Sequence, residues 1–297
     1  MSNLQLSVTI CSWNTKDVLR ECLASLRAVE SEARFEVIVV DNNSEDGSAE
    51  MVQEEFPEYR LIRSPFNLGF TGGQNLALSE RAAPHALLLN SDAVVHPGAL
   101  KLLWERAQDP EVGVIGPKLV NPDGSLQYSC RRFPTPLAAL FRGTPLARLT
   151  GKSKSVSDYL MRDFDHKSET EVDWVSGAAL WVTPRAYKLC GGLDGRFFMY
   201  CEDIDYCKRV HDAGLKVIYF PDSVISHAIG KSTDKAVNRM IWRHHRSMLL
   251  YYDIHELAAH DPVARPFIRA GLMVGLTFRA SIMIFKNWLD RLRRRFS

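Results

Sequence analysis

The sequence predicts an α/β fold: a mostly parallel, Rossmann-like sheet flanked by helices, with a helical extension at the C-terminus. Three observations predict it. Apolar runs of strand length alternate with amphipathic stretches through the first half, the pattern of a doubly wound sheet. Polar clusters stand directly at the ends of three of those runs, and the chain closes on a long apolar stretch followed by a basic end. With 297 residues, 46% of them hydrophobic, the chain can bury a large core.

Taken in order, "LQLSVTIC" reads as a strand and "KDVLRECLASLRAV" as a helix, since Val18, Leu19, Cys22, Leu23 and Leu26 recur on one helical face. "FEVIVV" is the second strand. It stops at "DNNSEDGS", a cluster of turn formers and helix-capping residues, before a helix through "AEMVQEEF". "YRLIR" is a short strand, "NLGFTGGQN" a glycine-rich loop before a short helix, and "HALLLN" a buried strand that ends abruptly in Asn90, Ser91 and Asp92. "KLVNPDGSLQYS" reads as a hairpin around Pro122, Asp123 and Gly124. Residues 134–171 lack periodicity and read as a mobile insert; "VDWVSGAALWVT" reads as a strand pair or a strand and loop. Glu202, Asp203 and Asp205 precede a helix that Gly214 ends, and "KVIYF" is a further strand.

Composition excludes several classes. The net charge of +2, from 37 basic and 35 acidic residues, gives no reason to expect a nucleic-acid partner. Six scattered cysteines without a CxxC pair fit buried thiols of a reducing compartment. "MSNLQLSVTI" lacks the features of a signal peptide, and no later stretch offers an uncharged apolar run of about 18 residues, so a cytoplasmic location is expected. Neither GxGxxG after the first strand nor GxxxxGK[ST] occurs, which removes the usual phosphate cradles of dinucleotide enzymes and P-loop proteins.

In a doubly wound sheet, ligands bind outside the carboxyl ends of the strands. "SWN" at 12–14, "DNNS" at 41–44 and "NSD" at 90–92 all fall there. A carboxylate so placed suits a hard cation, Mg²⁺ or Mn²⁺, which takes one or two protein carboxylates and completes its shell with substrate phosphates. Asp92 is that carboxylate, with Asn90 as a carbonyl donor or a ribose contact. The same tripeptide could also serve only as a turn.

In order and spacing, "SVTICSWNT", "VVDNNSEDGS", "NLGFTGGQN", "LLLNSDAVVHPGAL", "VDWVSGAALWV", "GGLDGRFFMYCEDIDYCKR" and "VISHAIGKS" resemble family 2 glycosyltransferases of the GT-A fold, in their rhamnosyltransferase-like branch. The resemblance covers roughly residues 5–255, which sets a catalytic domain of 1–255 and an extension of 256–297. It implies that Ser12, Trp13, Asp41 and Asn42 line the pocket of the nucleotide base and ribose. Many relatives carry two acids where this chain has Asp41 and Asn42, so either could read the base imide. The resemblance also implies that Asn67 to Gly73 pass beneath the nucleotide, where Gly69, Gly72 and Gly73 permit positive φ and close approach. "NSD" stands where the family carries DxD, making Asp92 the metal ligand and leaving Ser91 and Asn90 beside the donor. Asp203, with Glu202 as the alternative, would be the base of an inverting transfer. Asp205 would be structural or face the acceptor. His227 would complete the metal shell or touch the diphosphate, unless it is structural. Trp174, Ser176 and Gly177 would border the donor sugar and acceptor, Trp174 having a core role as its alternative.

The implied reaction moves a sugar, L-rhamnose from dTDP or a sugar from UDP, to a glycan or polyprenol-linked saccharide in cell-surface polysaccharide synthesis, O-antigen included. A sugar-1-phosphate nucleotidyltransferase is the rival enzyme, but "CSWNTKD" lacks its glycine-rich basic loop; a sugar-nucleotide-binding module is the rival without catalysis. In the extension, Phe285 and Trp288 stand beside Lys286, Arg291, Arg293, Arg294 and Arg295. This combination fits peripheral attachment to an anionic inner membrane face, whereas Arg279 interrupts the apolar run and argues against a span.

Overall fold

The computed structural model describes residues 4–135, 159, 161, 163–228 and 237–295, without the side chains of 237, 259 and 290–295. Most of the expected insert and part of "VISHAIGKS" lie outside these residues, as do the side chains of Arg291, Arg293, Arg294 and Arg295. The chain divides into two compact units. The first comprises Met1–Arg131, Asp165–Phe198 and Glu202–Asp234; the second comprises Arg132–Phe164, Met199–Cys201 and Lys235–Ser297. The helix at 237–255, assigned to the catalytic domain by the sequence reading, thus groups with the C-terminal part.

The first unit is built on a nine-stranded sheet. Its strands are β1 (Leu6–Ser12), β2 (Phe35–Asp41), β3 (Arg60–Arg63), β4 (His85–Asn90), β5 (Ala93–Val95), β6 (Val112–Val120), β8 (Thr170–Glu171), β10 (Ala179–Val182) and β11 (Lys216–His227). A separate pair joins β7 (Cys130–Arg131) to β9 (Trp174–Val175). The order β3-β2-β1-β4 is parallel throughout. Beyond β4 the expected parallel sheet becomes mixed: β10 runs antiparallel to both β4 and β6, and β5 and β8 run antiparallel to β11. The two strands within "VDWVSGAALWVT" do not pair with each other: β9 joins β7 in the separate pair, and β10 enters the main sheet between β4 and β6.

Helices α1 (Lys16–Ala28), α2 (Ser48–Glu55), α3 (Gly69–Ser79), α4 (Ala99–Arg106), α5 (Pro184–Cys190) and α6 (Glu202–Asp212) complete the unit. Leu19, Cys22, Leu23 and Leu26 of α1 are fully buried in one core with Val8, Ile10, Val37, Val39, Leu87 and Leu89 of the central strands, as the 3.6-residue spacing required. The expected hairpin forms: Asn121 N–H donates to Ser125 O at 2.7 Å and Gln127 N–H to Leu119 O at 2.9 Å. None of the six cysteines is in a disulfide, and burial pushes the Cys11 thiol up to about 12.

Two sequence expectations change. The "glycine-rich loop" is largely helix, since α3 begins at Gly69. Only Gly69 needs a positive φ, 77°; a Cβ there would also lie 2.4 Å from Phe198 O. Gly73 serves packing, because a Cβ on it would lie 2.3 Å from Cys11 Sγ, so α3 rests directly on β1. The second change is at the supposed insert: β8, at 170–171, pairs with β11, and His166 is 2% exposed.

The second unit contains α7 (Val237–His255) and α8 (Arg265–Arg295). Leu272, Leu276 and Ala280 of α8 are buried at four-residue spacing, and Arg269 pairs with Asp253 of α7 at 2.8 Å.

Candidate functional site

Register brings the polar clusters together. Ser12 at the end of β1 pairs with Asp41 at the end of β2, and Cys11 pairs with Asn90 at the end of β4. Asn42 N–H donates to Ser12 O at 2.8 Å. The loops above are cross-linked: Asn14 N–H donates to Ser44 Oγ at 3.0 Å and Glu45 N–H to Asn14 Oδ1 at 2.7 Å. Asn14 and Asn43 take positive φ, 54° and 65°, a conformation asparagine tolerates better than most residues. Trp13 is half-buried at this edge.

Asp41 and Asn42, equivalent candidates in the sequence, differ in the fold. The Asn42 amide is consumed: Nδ2 donates to Gly69 O at 3.0 Å and to Asn67 Oδ1 at 3.3 Å, while Oδ1 accepts from Leu68 N–H at 2.8 Å. Asn67 Oδ1 in turn accepts from Gly69 N–H at 2.9 Å. Asn42 therefore holds the start of α3. Asp41 accepts from Ser44 N–H through Oδ2 at 3.1 Å, and its buried Oδ1 has no hydrogen-bond partner among the described residues. A buried carboxylate oxygen without a donor costs free energy, so Asp41 Oδ1 is the acceptor this edge offers to a ligand N–H.

Ser91 is held from below, as Thr15 Oγ1 donates to Ser91 Oγ at 3.1 Å and lies 2.8 Å from Ser12 Oγ. Both Ser91 and Asp92 are 6% exposed. Asp92 meets the far end of the sheet because β5 pairs with the last residues of β11, His227 opposite Ala93. As a result Asp92 Oδ1 lies 3.2 Å from His227 Nε2, and Asn90 Nδ2 lies 3.2 Å from the same nitrogen. Two lone-pair donors on one divalent ion, bonded at about 2.0–2.2 Å, sit about 3 Å apart. The Asp92–His227 pair thus fits the implied metal, and no group of three His, Cys, Asp or Glu with metal-binding geometry occurs among the described residues. The remaining positions would fall to diphosphate oxygens and water.

The acids occupy the first turn of α6, rather than the segment before it. Tyr200 and Cys201 take φ of 71° and 66° immediately upstream; such strained backbone concentrates at functional sites. Asp203 accepts from Gly177 N–H at 3.0 Å through Oδ2 and from Ile204 N–H at 2.9 Å through Oδ1. Burial raises its carboxyl, opposed by those two N–H groups and by the Arg131 guanidinium. Glu202 is 6% exposed, and its Oε2 has no hydrogen-bond partner among the described residues. Burial first, and the Asp203 and Asp205 carboxylates after it, raise Glu202 well above the ordinary range, a shift that favours its protonated form. Asp205, grouped by the sequence reading with acceptor-side or structural residues, is fully buried and bonded to Arg209 Nε at 2.9 Å. Arg209 also donates to Cys190 O and Gly192 O, so Asp205 holds the arginine that ties α6 to the end of α5 and the turn after it.

The segment between β9 and β10 ties the two ends together. Asn90 N–H donates to Ala178 O at 2.9 Å, and the neighbouring Gly177 N–H holds Asp203. Ser176 N–H donates to Ser129 O at 2.8 Å, and Ser176 Oγ accepts from Ala178 N–H at 3.3 Å. Trp174 is buried, 9% exposed, with the Arg131 guanidinium 5.8 Å from its ring centre. Sequence reasoning missed Thr15 and Arg131. Thr15, within "SWNT", carried a signal as the next hydroxyl after Ser12; Arg131 carried none.

Residues 4–243 match the family model described as "Glycosyltransferase like family 2". The chain is 28% identical to an N-acetylglucosaminyl-diphospho-decaprenol L-rhamnosyltransferase of Mycobacterium tuberculosis, over 98% of this chain and 96% of that protein. It is 24% identical to a low-salt glycan biosynthesis hexosyltransferase of Haloferax volcanii, over 71% of this chain and 63% of the relative. Among solved structures, a Pyrobaculum calidifontis mannosyltransferase in complex with GDP-Man and Mn²⁺ superposes with a TM-score of 0.58 at 15% identity, over 98% of this chain and 81% of that one. GalNAc-T7 with UDP, GalNAc and Mn²⁺ gives 0.56 at 13% identity, over 77% and 44%. With its strand ends, acids and sheet order accounted for, the chain belongs to the family 2-like glycosyltransferases and has the GT-A fold.

Proposed function

We propose that this glycosyltransferase inverts the donor anomeric centre, moving a sugar from a nucleoside diphosphate to a hydroxyl of a lipid-linked saccharide, with dTDP-L-rhamnose as donor. One observation carries the reading. Adjacent residues Gly177 and Ala178 bond to Asp203 and to Asn90, so a carboxylate able to take a proton stands beside the strand end that presents Asp92 and His227. A nucleotidyltransferase or a binding module gives no use for Asp203 in that position.

In the proposed step the acceptor oxygen attacks the anomeric carbon, the bond from that carbon to the diphosphate oxygen breaks, and the hydroxyl proton passes to Asp203. The raised basicity of Asp203 suits this role, and Gly177 and Ile204 keep its oxygens oriented. Glu202 stays protonated behind it. Asp92 and His227 would hold Mg²⁺ or Mn²⁺, which when bound neutralises charge on the departing diphosphate. Asp41 Oδ1 accepts the imide N–H of thymine or uracil; Ser12, Trp13 and Asn67 border the base and ribose; Ser91 and Asn90 border the donor. The saccharide enters past Trp174, Ser176 and Gly177. A donor of rhamnose and a polyprenol-linked acceptor are supported by the name of the mycobacterial relative, and surface-polysaccharide synthesis, such as O-antigen assembly, is the matching context.

A lipid-linked acceptor gives a use to α8, which among the described residues is long and apolar enough to cross a membrane by length and composition. Arg279, expected to interrupt the apolar surface, is 6% exposed and lies on the buried side with Leu272 and Leu276. The outer side presents Phe267, Val274, Phe278, Phe285 and Trp288, each more than half exposed. That stripe, continued by the basic end in the sequence, lies on an anionic membrane at its cytoplasmic face.

The test is incubation with dTDP-L-rhamnose or UDP-sugars, Mn²⁺ and a synthetic N-acetylglucosaminyl-diphospho-lipid. Release of nucleoside diphosphate with an inverted linkage in the product is expected. Retention of configuration, or no release from any donor, would overturn the proposal.

A further inference from the structure

The hydrogen-bond chain behind His227 points to a residue with no role so far. Gln127 is 8% exposed, on the hairpin after β6. Its Nε2 donates to His227 O at 2.5 Å and to Asn121 Oδ1 at 2.8 Å. The backbone carbonyl can only accept, so the amide orientation is fixed with Oε1 facing His227 Nδ1, 3.1 Å away. An amide oxygen also only accepts. Nδ1 must therefore carry a proton, which in the neutral imidazole leaves Nε2 with its lone pair directed at Asn90 Nδ2 and Asp92 Oδ1.

We propose that Gln127 is a positioning residue: it locks His227 in the Nδ1–H form, so that the Nε2 lone pair and Asp92 Oδ1 face each other ready for a divalent cation. The inference rests on the reading of Asp92 and His227 as a cation pair. Imidazole ligands commonly donate their second N–H to an oxygen that fixes ring and tautomer. Here that oxygen belongs to a neutral amide, itself braced within the hairpin: Asn121 Nδ2 donates to Ser125 Oγ at 2.8 Å, and Ser125 Oγ donates to Asp123 Oδ1 at 2.6 Å. The hairpin thus acts as the support of His227 from 100 residues away in sequence.

The tautomer is directly measurable. Full-length protein carrying ¹⁵N-histidine, held at about pH 8.5 where an imidazole is neutral, gives side-chain nitrogen shifts that separate Nδ1–H from Nε2–H. His227→Gln identifies its signals among the nine histidines. The expected result is Nδ1–H in the wild type and a shift towards Nε2–H in Gln127→Leu, which can neither accept nor donate. Nε2–H as the main wild-type form would overturn the proposal, whether or not the variant folds, and so would Nδ1–H retained in Gln127→Leu. By calorimetry, Mn²⁺-dependent binding of dTDP or UDP should weaken about 10- to 100-fold in Gln127→Leu, the usual effect of losing an outer-shell partner, with metal-free binding unchanged. Equal Mn²⁺-dependent affinity would break the link to the cation. A wild type with the Nδ1–H form that transfers no sugar would sink the proposed function and leave the tautomer assignment standing.

Discussion

Two pairs of adjacent polar residues, Asp41–Asn42 and Glu202–Asp203, look alike in sequence and divide their work in opposite ways. In each pair one carboxylate oxygen lacks a hydrogen-bond partner among the described residues. At the end of β2 the spare oxygen is on Asp41, beside an Asn42 amide spent on holding α3. At the start of α6 the spare oxygen is on Glu202, whose carboxyl burial raises well above the ordinary range, while Asp203 takes two backbone N–H groups.

That division breaks most visibly if Asp203 is neutralised. Asp203→Asn should lower transfer about 10²- to 10⁴-fold, the usual loss on removing a general base, with nucleoside diphosphate binding kept. A larger loss in Glu202→Gln would reverse the roles assigned within the pair. Next in size, Asp92→Ala should cost Mn²⁺-dependent affinity for nucleoside diphosphate by more than the roughly 10- to 100-fold of an outer-shell change. Unaltered affinity in calorimetry would remove Asp92 from the cation site.

The first pair sharpens the comparison at a smaller scale. Asn42→Ala should destabilise the fold by about 1–3 kcal/mol, because Leu68 N–H and Gly69 O lose their buried partner; a melting curve reads this. Asp41→Asn should leave stability nearly unchanged and weaken UDP or dTDP binding by about tenfold, since a charged acceptor is roughly twice as strong as a neutral one. Exchange of the two phenotypes would show that Asn42 reads the base.

Much of this was legible in the sequence, for physical reasons that also set its limits. The strands β2 and β4 announce themselves because a strand buried on both faces reads as a near-continuous apolar run, which Asp41 and Asn90 end abruptly, whereas β1 is marked by Leu6, Val8 and Ile10 alternating with buried Ser7 and Thr9. The direction of β10 was not legible, since four apolar residues look the same in either orientation. Gly72 and Gly73 suggested a loop because glycine is a poor helix former; the close approach of α3 to Cys11, which explains Gly73, is a tertiary fact. Gln127 left no pattern, as a single buried amide bonded across 100 residues has no local periodicity. The burial of Arg279 was not legible either, because linear order conceals which side of a helix a charge faces.

The smallest expected effect concerns Glu202 and stability rather than turnover. Its carboxyl is raised in the folded protein by burial and by the neighbouring carboxylates, whereas in the unfolded chain it titrates near the ordinary value of 4.5. Above that value the folded state binds the proton and the unfolded state does not. The contribution of Glu202 is therefore fully present below the unfolded value and is lost as pH rises toward the folded one. One such proton contributes a slope of at most about 1.4 kcal/mol per pH unit. Glu202→Gln has no proton to lose, so its urea midpoint should gain on the wild type as pH rises above the ordinary carboxylate range, with little difference in more acidic buffer. Parallel stability curves for the two proteins from acid to neutral pH would mean that Glu202 is ionised in the fold, and the contrast between the two pairs would then disappear.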